Sequence, residues 1–214
     1  MSDRETRALL CELLRTFYDK GWVSGTGGGI CGPTDDGNLF LAPTGVHKER
    51  IEPDDFFVVE PSDGSVLAPA VDPRLRPSEC NAIFCACARE RGARSVVHSH
   101  ALSAVLAADL AEGDALVIAG FEMLKGIRDA SNRDIHQVPV IVNTPRESEL
   151  VDQVGKALGD ERFTGSYCIL VRDHGAYIWG DDVWEAKRHA EVYHWLFEGV
   201  RARRKEGMDG TAHL

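Results

Sequence analysis

Nowhere does this 214-residue chain hold an apolar run near the ~20 residues that a membrane-spanning helix requires. It also lacks any block of Lys and Arg. With 24 basic against 34 acidic residues its net charge is -10, which argues against nucleic acid or an anionic membrane as partner. A small anionic substrate stays compatible, because backbone amides can bind phosphate inside an acidic protein. The first residues, Met1-Ser-Asp-Arg-Glu-Thr-Arg7, lack the apolar core of a signal peptide. The cysteines at 11, 31, 80, 85, 87 and 168 follow no extracellular spacing. Reduced thiols and a cytoplasmic location are therefore expected. Repeats, linkers and low-complexity runs are absent too. The expectation is one catalytic domain over 1–206, with a flexible tail over 207–214.

What is present begins with His98-Ser99-His100. Two residues apart in an extended strand, both imidazoles lie on one face. Ser95-Val96-Val97 reads as a short buried strand and Ala101 to Leu110 as a helix, so the pair sits at a strand's C-terminal end. A third histidine, His174, falls in a turn between the strands Cys168–Arg172 and Ala176–Gly180. Three imidazoles brought together would form a metal site with an open coordination position. The other histidines read differently. His189 and His194 lie five apart on a late helix, on different faces. His47 and His136 fall in polar loops, and His213 in the tail.

Period and punctuation supply the remaining elements. Arg4 to Lys20 reads as an amphipathic helix ended by Gly21. Strands follow at Leu39–Ala42 and Phe56–Val59, with a hairpin turn at Asp63-Gly64. Ser78 reads as the N-cap of a helix to about Arg91, Pro139–Val142 as a strand, and Arg146 to Leu158 as a helix. A long helix runs from about Val183 to Glu206, and its aromatic stripe (Trp184, Tyr193, Trp195, Phe197) suits a core or subunit contact. Together these predict an α/β fold, a single-domain α/β/α sandwich around a central, mainly antiparallel sheet.

Three loops offer anion sites. Gly27-x-Gly29-x-x-Gly32 formally matches a dinucleotide fingerprint, but a turn follows it rather than a helix, which excludes that reading. The triple glycine Gly27, Gly28 and Gly29 still exposes amides that can form a nest. Thr44-Gly45 adds a hydroxyl and an amide, and Ser78 a helix start. Candidate acids and bases are Glu79, beside Ser78, and Glu122. The apolar neighbours Phe121, Met123 and Leu124 leave Glu122 either exposed at an edge or in an apolar pocket with a raised pKa, as acid/base work at neutral pH requires. Cys80 either lines the same pocket as Glu79 or fills the core.

Several segments carry a family resemblance over about Glu5 to Val200. They are Gly21-Trp-Val-Ser-Gly-Thr-Gly-Gly-Gly-Ile30, Ala42-Pro-Thr-Gly-Val-His-Lys-Glu-Arg-Ile51, Val97-His-Ser-His100, Phe121-Glu-Met-Leu-Lys-Gly-Ile127 and Arg172-Asp-His-Gly-Ala-Tyr-Ile-Trp-Gly180. On these the chain resembles the class II aldolase/adducin-like family. The resemblance implies one zinc ion on His98, His100 and His174, Glu122 as catalytic acid/base, and phosphate held at Gly27–Gly29, Thr44-Gly45 and Ser78. It implies a homotetramer with interfacial sites, in which a neighbour supplies a residue. The Glu122 segment is the dehydratase-like one and implies loss of water from a ketose phosphate by way of an enediolate. The alternative is aldol cleavage or epimerisation of a sugar phosphate. Gly29 stands where the aldolases usually carry Asn. Glu79 lies nineteen residues before His98, where sugar-phosphate aldolases carry their own base, so two carboxylates compete for that role.

Overall fold

The computed structural model describes residues 1–208. Helix α1 (Asp3–Asp19) opens on a capping box, in which the Ser2 hydroxyl accepts from the Glu5 amide and the Glu5 carboxylate accepts from the Ser2 amide. Such a cap stabilises by about 1 kcal/mol. The helix buries Leu9, Leu10, Leu13, Leu14 and Phe17, and Gly21, at φ 73°, turns the chain away. Strands β1 (Gly29–Pro33), β2 (Leu39–Leu41), β3 (Phe57–Val59) and β4 (Val66–Ala68) form an antiparallel meander. Then come α2 (Asn81–Arg91), β5 (Ser95–Ser99), α3 (Leu102–Ala108), β6 (Ala115–Ile118) and β7 (His136–Ile141). The chain continues through α4 (Val151–Gly159), β8 (Cys168–Val171), β9 (Gly175–Gly180) and α5 (Val183–Lys205).

The strands make one nine-stranded sheet in the order β4-β3-β2-β1-β5-β9-β8-β7-β6. Every pairing is antiparallel except β7 with β8, as expected of a mainly antiparallel sheet. Alternation along the strands splits the core in two. Val97, Cys168, Leu170 and Ile178 face the layer of α1, α3 and α5. Val96, Ile169, Val171 and Tyr177 face the layer of α2 and α4. Helices on both faces complete the α/β/α sandwich.

Three local expectations change. The helix expected from Ser78 begins at Asn81; Ser78 instead closes a tight turn, its hydroxyl accepting from the Cys80 amide at 3.2 Å. The helix expected from Arg146 opens as a 3-10 turn, Glu147–Leu150, before α4. His136 lies inside β7 rather than in a polar loop, and is buried with its Nε2 2.9 Å from the Tyr193 hydroxyl. His213 and most of the expected tail lie outside the described residues.

Candidate metal centre

Strand direction places the three predicted histidines. β5 delivers His98 and His100 at its C-terminal end, and antiparallel β9 begins at that same end, so the β8–β9 turn sets His174 beside them. That turn is tight. Asp173 takes φ 53°, and a Cβ on Gly175 would stand 1.9 Å from the Ser99 carbonyl oxygen, so only glycine fits. The Nε2 atoms of His98 and His100 lie 2.8 Å apart, and those of His174 and His100 3.2 Å apart.

The opposite ring nitrogens fix two of the tautomers. His98 Nδ1 lies 3.1 Å from the Ala176 carbonyl oxygen, and His174 Nδ1 lies 3.1 Å from Asn143 Oδ1. Donation there leaves both Nε2 lone pairs facing inward. The His98 ring also stacks on Tyr177 at 4.1 Å and is fully buried. Burial first, then the neighbouring imidazoles, lowers His100 to a pKa of about 3; burial and His98 lower His174 to about 4. Neutral imidazoles with convergent lone pairs are what a divalent metal such as zinc needs, so the donor set fits.

Sequence reasoning missed a fourth member. Glu147 brings Oε1 to 3.6 Å from His98 Nε2 and 3.7 Å from His174 Nε2. The ligand atoms of His98, His100, His174 and Glu147 all lie within 4.8 Å of one another. The local sequence of Glu147 reads as an ordinary helix start. The parallel pairing of β7 with β8 is what carries the loop after β7 over the β8–β9 turn.

Of the three predicted anion loops, the glycine loop packs against the histidines and the other two are joined to each other. Gly27 packs so closely that a Cβ would meet His100 Nδ1 at 2.5 Å, and one on Gly28, at φ 71°, would meet the His98 carbonyl oxygen at 2.7 Å. Gly27 and Gly28 therefore serve close approach to the histidines, whereas Gly29 is buried in β1 opposite His98 rather than standing in an exposed loop as expected. The Thr44 amide donates to the Arg76 carbonyl, and Pro43 bridges Pro77, which joins the Thr44-Gly45 loop to the Ser78 turn. A second residue the sequence did not flag, Lys48, staples the loops: its buried ammonium donates to the Thr26 carbonyl at 2.8 Å and the Val46 carbonyl at 3.0 Å. Cys80 is buried in the core layer of α2 and α4, with Glu147 and Tyr177 beside it.

Neither predicted carboxylate joins the cluster within the chain. Glu79 is exposed in the turn before α2, not in a helical first turn. Glu122 is not held in an apolar pocket. Its side chain is 71% exposed and accepts from Lys125 at 2.6 Å and Asn132 at 2.7 Å, and the Lys125 bond lowers its pKa rather than raising it. A 3-10 turn sends Leu124 into the core and Glu122 outward. β6, which leads into it, runs opposite to β5, so Glu122 follows the far end of the sheet. Phe121 and Leu124 also pack in the α1/α3/α5 layer, whereas Tyr177, which stacks on His98, packs in the other.

The class II aldolase and adducin N-terminal domain matches residues 8–199. The chain belongs to this family. Within it, a methylthioribulose-1-phosphate dehydratase of Aquarana catesbeiana is 39% identical over 213 residues, covering 97% of this chain and 88% of the relative. Those of Gallus gallus and Homo sapiens are each 38% identical, covering 97% and 95% of this chain and 87% and 85% of the relatives. Among solved class II aldolase folds, an L-fuculose 1-phosphate aldolase superposes with a TM-score of 0.77 at 18% identity, over 95% of this chain and 88% of that one. The L-fuculose-1-phosphate aldolase of Thermus thermophilus gives 0.68 at 21% identity, over 96% and 100%.

Proposed function

We propose that this class II aldolase family member is a lyase that dehydrates 5-methylthioribulose 1-phosphate to 5-methylthio-2,3-dioxopentyl 1-phosphate, a step of methionine salvage. The observation that carries the reading is likeness to dehydratases along nearly the whole chain, 39% identity over 97% of it, with the histidine triad assembled inside it. His98, His100 and His174 hold one zinc ion per subunit. Zinc, when bound, supplies a Lewis acid that draws electron density from the C2 carbonyl of the ketose.

The protein's own groups do the rest. Amides of Gly27–Gly29, with Thr44-Gly45 and Ser78, hold the phosphate. Lys48 keeps those loops in register, and Cys80 bounds the substrate on the α2 side. Glu122, ionised, takes the C3 proton. The electron pair of that C–H bond passes into an enediolate over C2 and C3, whose collapse forms the C3–C4 double bond as the C4 hydroxyl takes the proton back from Glu122 and leaves as water. The resulting enol tautomerises to the 2,3-diketone.

Glu122 performs this for the histidines of a neighbouring subunit in a homotetramer. Its exposure, its place past the far end of the sheet, and the exposed apolar side chains of Val117 on β6 and of Trp195, which packs on Phe121, support that arrangement. Glu79 is the rival base, and Glu79→Gln tests it.

The function is tested by incubating the zinc-loaded protein with 5-methylthioribulose 1-phosphate and weighing the product. A product lighter by one water is expected. Cleavage into an aldehyde and a three-carbon phosphate, or an isomer of unchanged mass, would establish an aldolase or epimerase instead.

A further inference from the structure

We infer that His189 is a positioning residue for proton transfer, because it fixes the arc of chain that carries Glu122. The inference rests on the role proposed above for Glu122 and extends it. The arc runs from Glu122 to Asn132 and closes on itself, since the Asn132 side-chain amide donates to Glu122 Oε2 at 2.7 Å. Between those two residues stands Arg128, whose backbone amide donates to His189 Nε2 at 3.2 Å. The next residue, Asp129, takes φ 60°, a left-handed conformation that costs a residue other than glycine about 1–2 kcal/mol. An amide fixed at Arg128 holds that reversal, and with it both ends of the arc.

The surroundings of His189 fit the role. It is fully buried on α5, with Nδ1 2.7 Å from the Trp179 carbonyl oxygen of β9. Donation there leaves the Nε2 lone pair for the arc. One neutral imidazole thus links β9, the strand that begins next to His174, to the turn that bears Glu122. Glu185, Arg188 and Val192 share that face of α5 and grip the same arc. Arg128 Nε donates to Glu185 at 3.0 Å, Arg188 Nε donates to the Gly126 carbonyl at 3.1 Å, and a Cβ on Gly126 would meet Val192 at 2.5 Å. The polar partners of Glu122, Lys125 and Asn132, belong to the arc itself. Its aim is therefore set by what holds the backbone beneath it.

The test uses the zinc-loaded full chain and 5-methylthioribulose 1-phosphate. His189→Asn keeps a donor for Trp179 but no acceptor within reach of the Arg128 amide, whereas His189→Gln keeps the acceptor. His189→Asn is expected to lower kcat about 10- to 100-fold, with KM within about twofold and zinc content unchanged, and His189→Gln to restore most of kcat. Hydrogen exchange over 122–132, read by mass, is expected to quicken in His189→Asn and not in His189→Gln. A normal kcat in His189→Asn would overturn the inference, as would equal impairment of the two variants. Should His189→Asn not fold, His189→Gln decides alone, and a lost kcat with wild-type exchange would overturn it. Adding His189→Asn to Glu122→Gln is expected to slow the enzyme no further, and a further tenfold drop would contradict action through Glu122. A fully active Glu122→Gln would overturn the role of Glu122 and this inference with it. An inactive Glu122→Gln beside a normal His189→Asn would overturn the inference alone.

Discussion

The two ends of the sheet contrast sharply. At the β5–β9–β8 end, one chain gathers His98, His100, His174 and Glu147 in a largely buried cluster with the ligand atoms within 4.8 Å of each other. Past β6, the carboxylate that matches the dehydratase-like motif stands 71% exposed and paired to Lys125 and Asn132. The first region is finished within one subunit. The second stands apart from that cluster within the chain, and under the proposed function it meets the histidines of a neighbouring subunit.

The deepest break of that contrast is His174→Ala. Losing a ligand removes a Lewis acid worth several kcal/mol, so activity should fall about a thousandfold or more together with zinc content, measured by rate and metal analysis. Glu122→Gln should lower turnover by about 10²- to 10⁴-fold, the range for general acid/base groups. Because that side chain is exposed, zinc content and melting temperature should stay put; a loss of zinc would merge the two regions.

Gly175→Ala tests how the first region is built. Its Cβ would meet Ser99 at 1.9 Å from a backbone with φ 154°, so destabilisation by about 3 kcal/mol or more is expected in a denaturant melt. Acid sharpens the comparison between ligand and core histidines. Burial lowers His136 from 6.5 to about 4 and His194 to about 3, away from the metal cluster. Unfolded, both take up protons below pH 6.5 while the folded protein does not. Stability is therefore whole above 6.5 and is lost as pH falls toward the folded values, by about 2 kcal/mol for each group at pH 5. A melting temperature flat from pH 7 to 5 would contradict this. The smallest effect is expected from Glu79→Gln, whose exposed side chain should leave turnover within about twofold and stability within about 0.5 kcal/mol.

Much of the first region was legible because its signals are local. The period of a strand aligned His98 with His100, and a turn beside glycine exposed His174. Glu147 was not legible, because β7 meets β8 in parallel and only that long-range pairing brings the following loop over the cluster. Glu122 was identified by its motif but its surroundings were not, since apolar neighbours in sequence turn inward while the carboxylate turns out. The mainly antiparallel sheet covered by helices was legible from the hairpin-connected early strands and the helices that flank them. The start of α2 was not, because Ser78 caps a turn and not the helix.

The division of labour between subunits is tested most directly by mixing two inactive variants, Glu122→Gln and His174→Ala, under conditions that let subunits exchange. Each hybrid site can join intact histidines of one subunit to an intact Glu122 of the other. About a quarter of the sites in a random mixture should then recover activity. A mixture that exchanges subunits, shown by mass, and stays inactive would contradict the account.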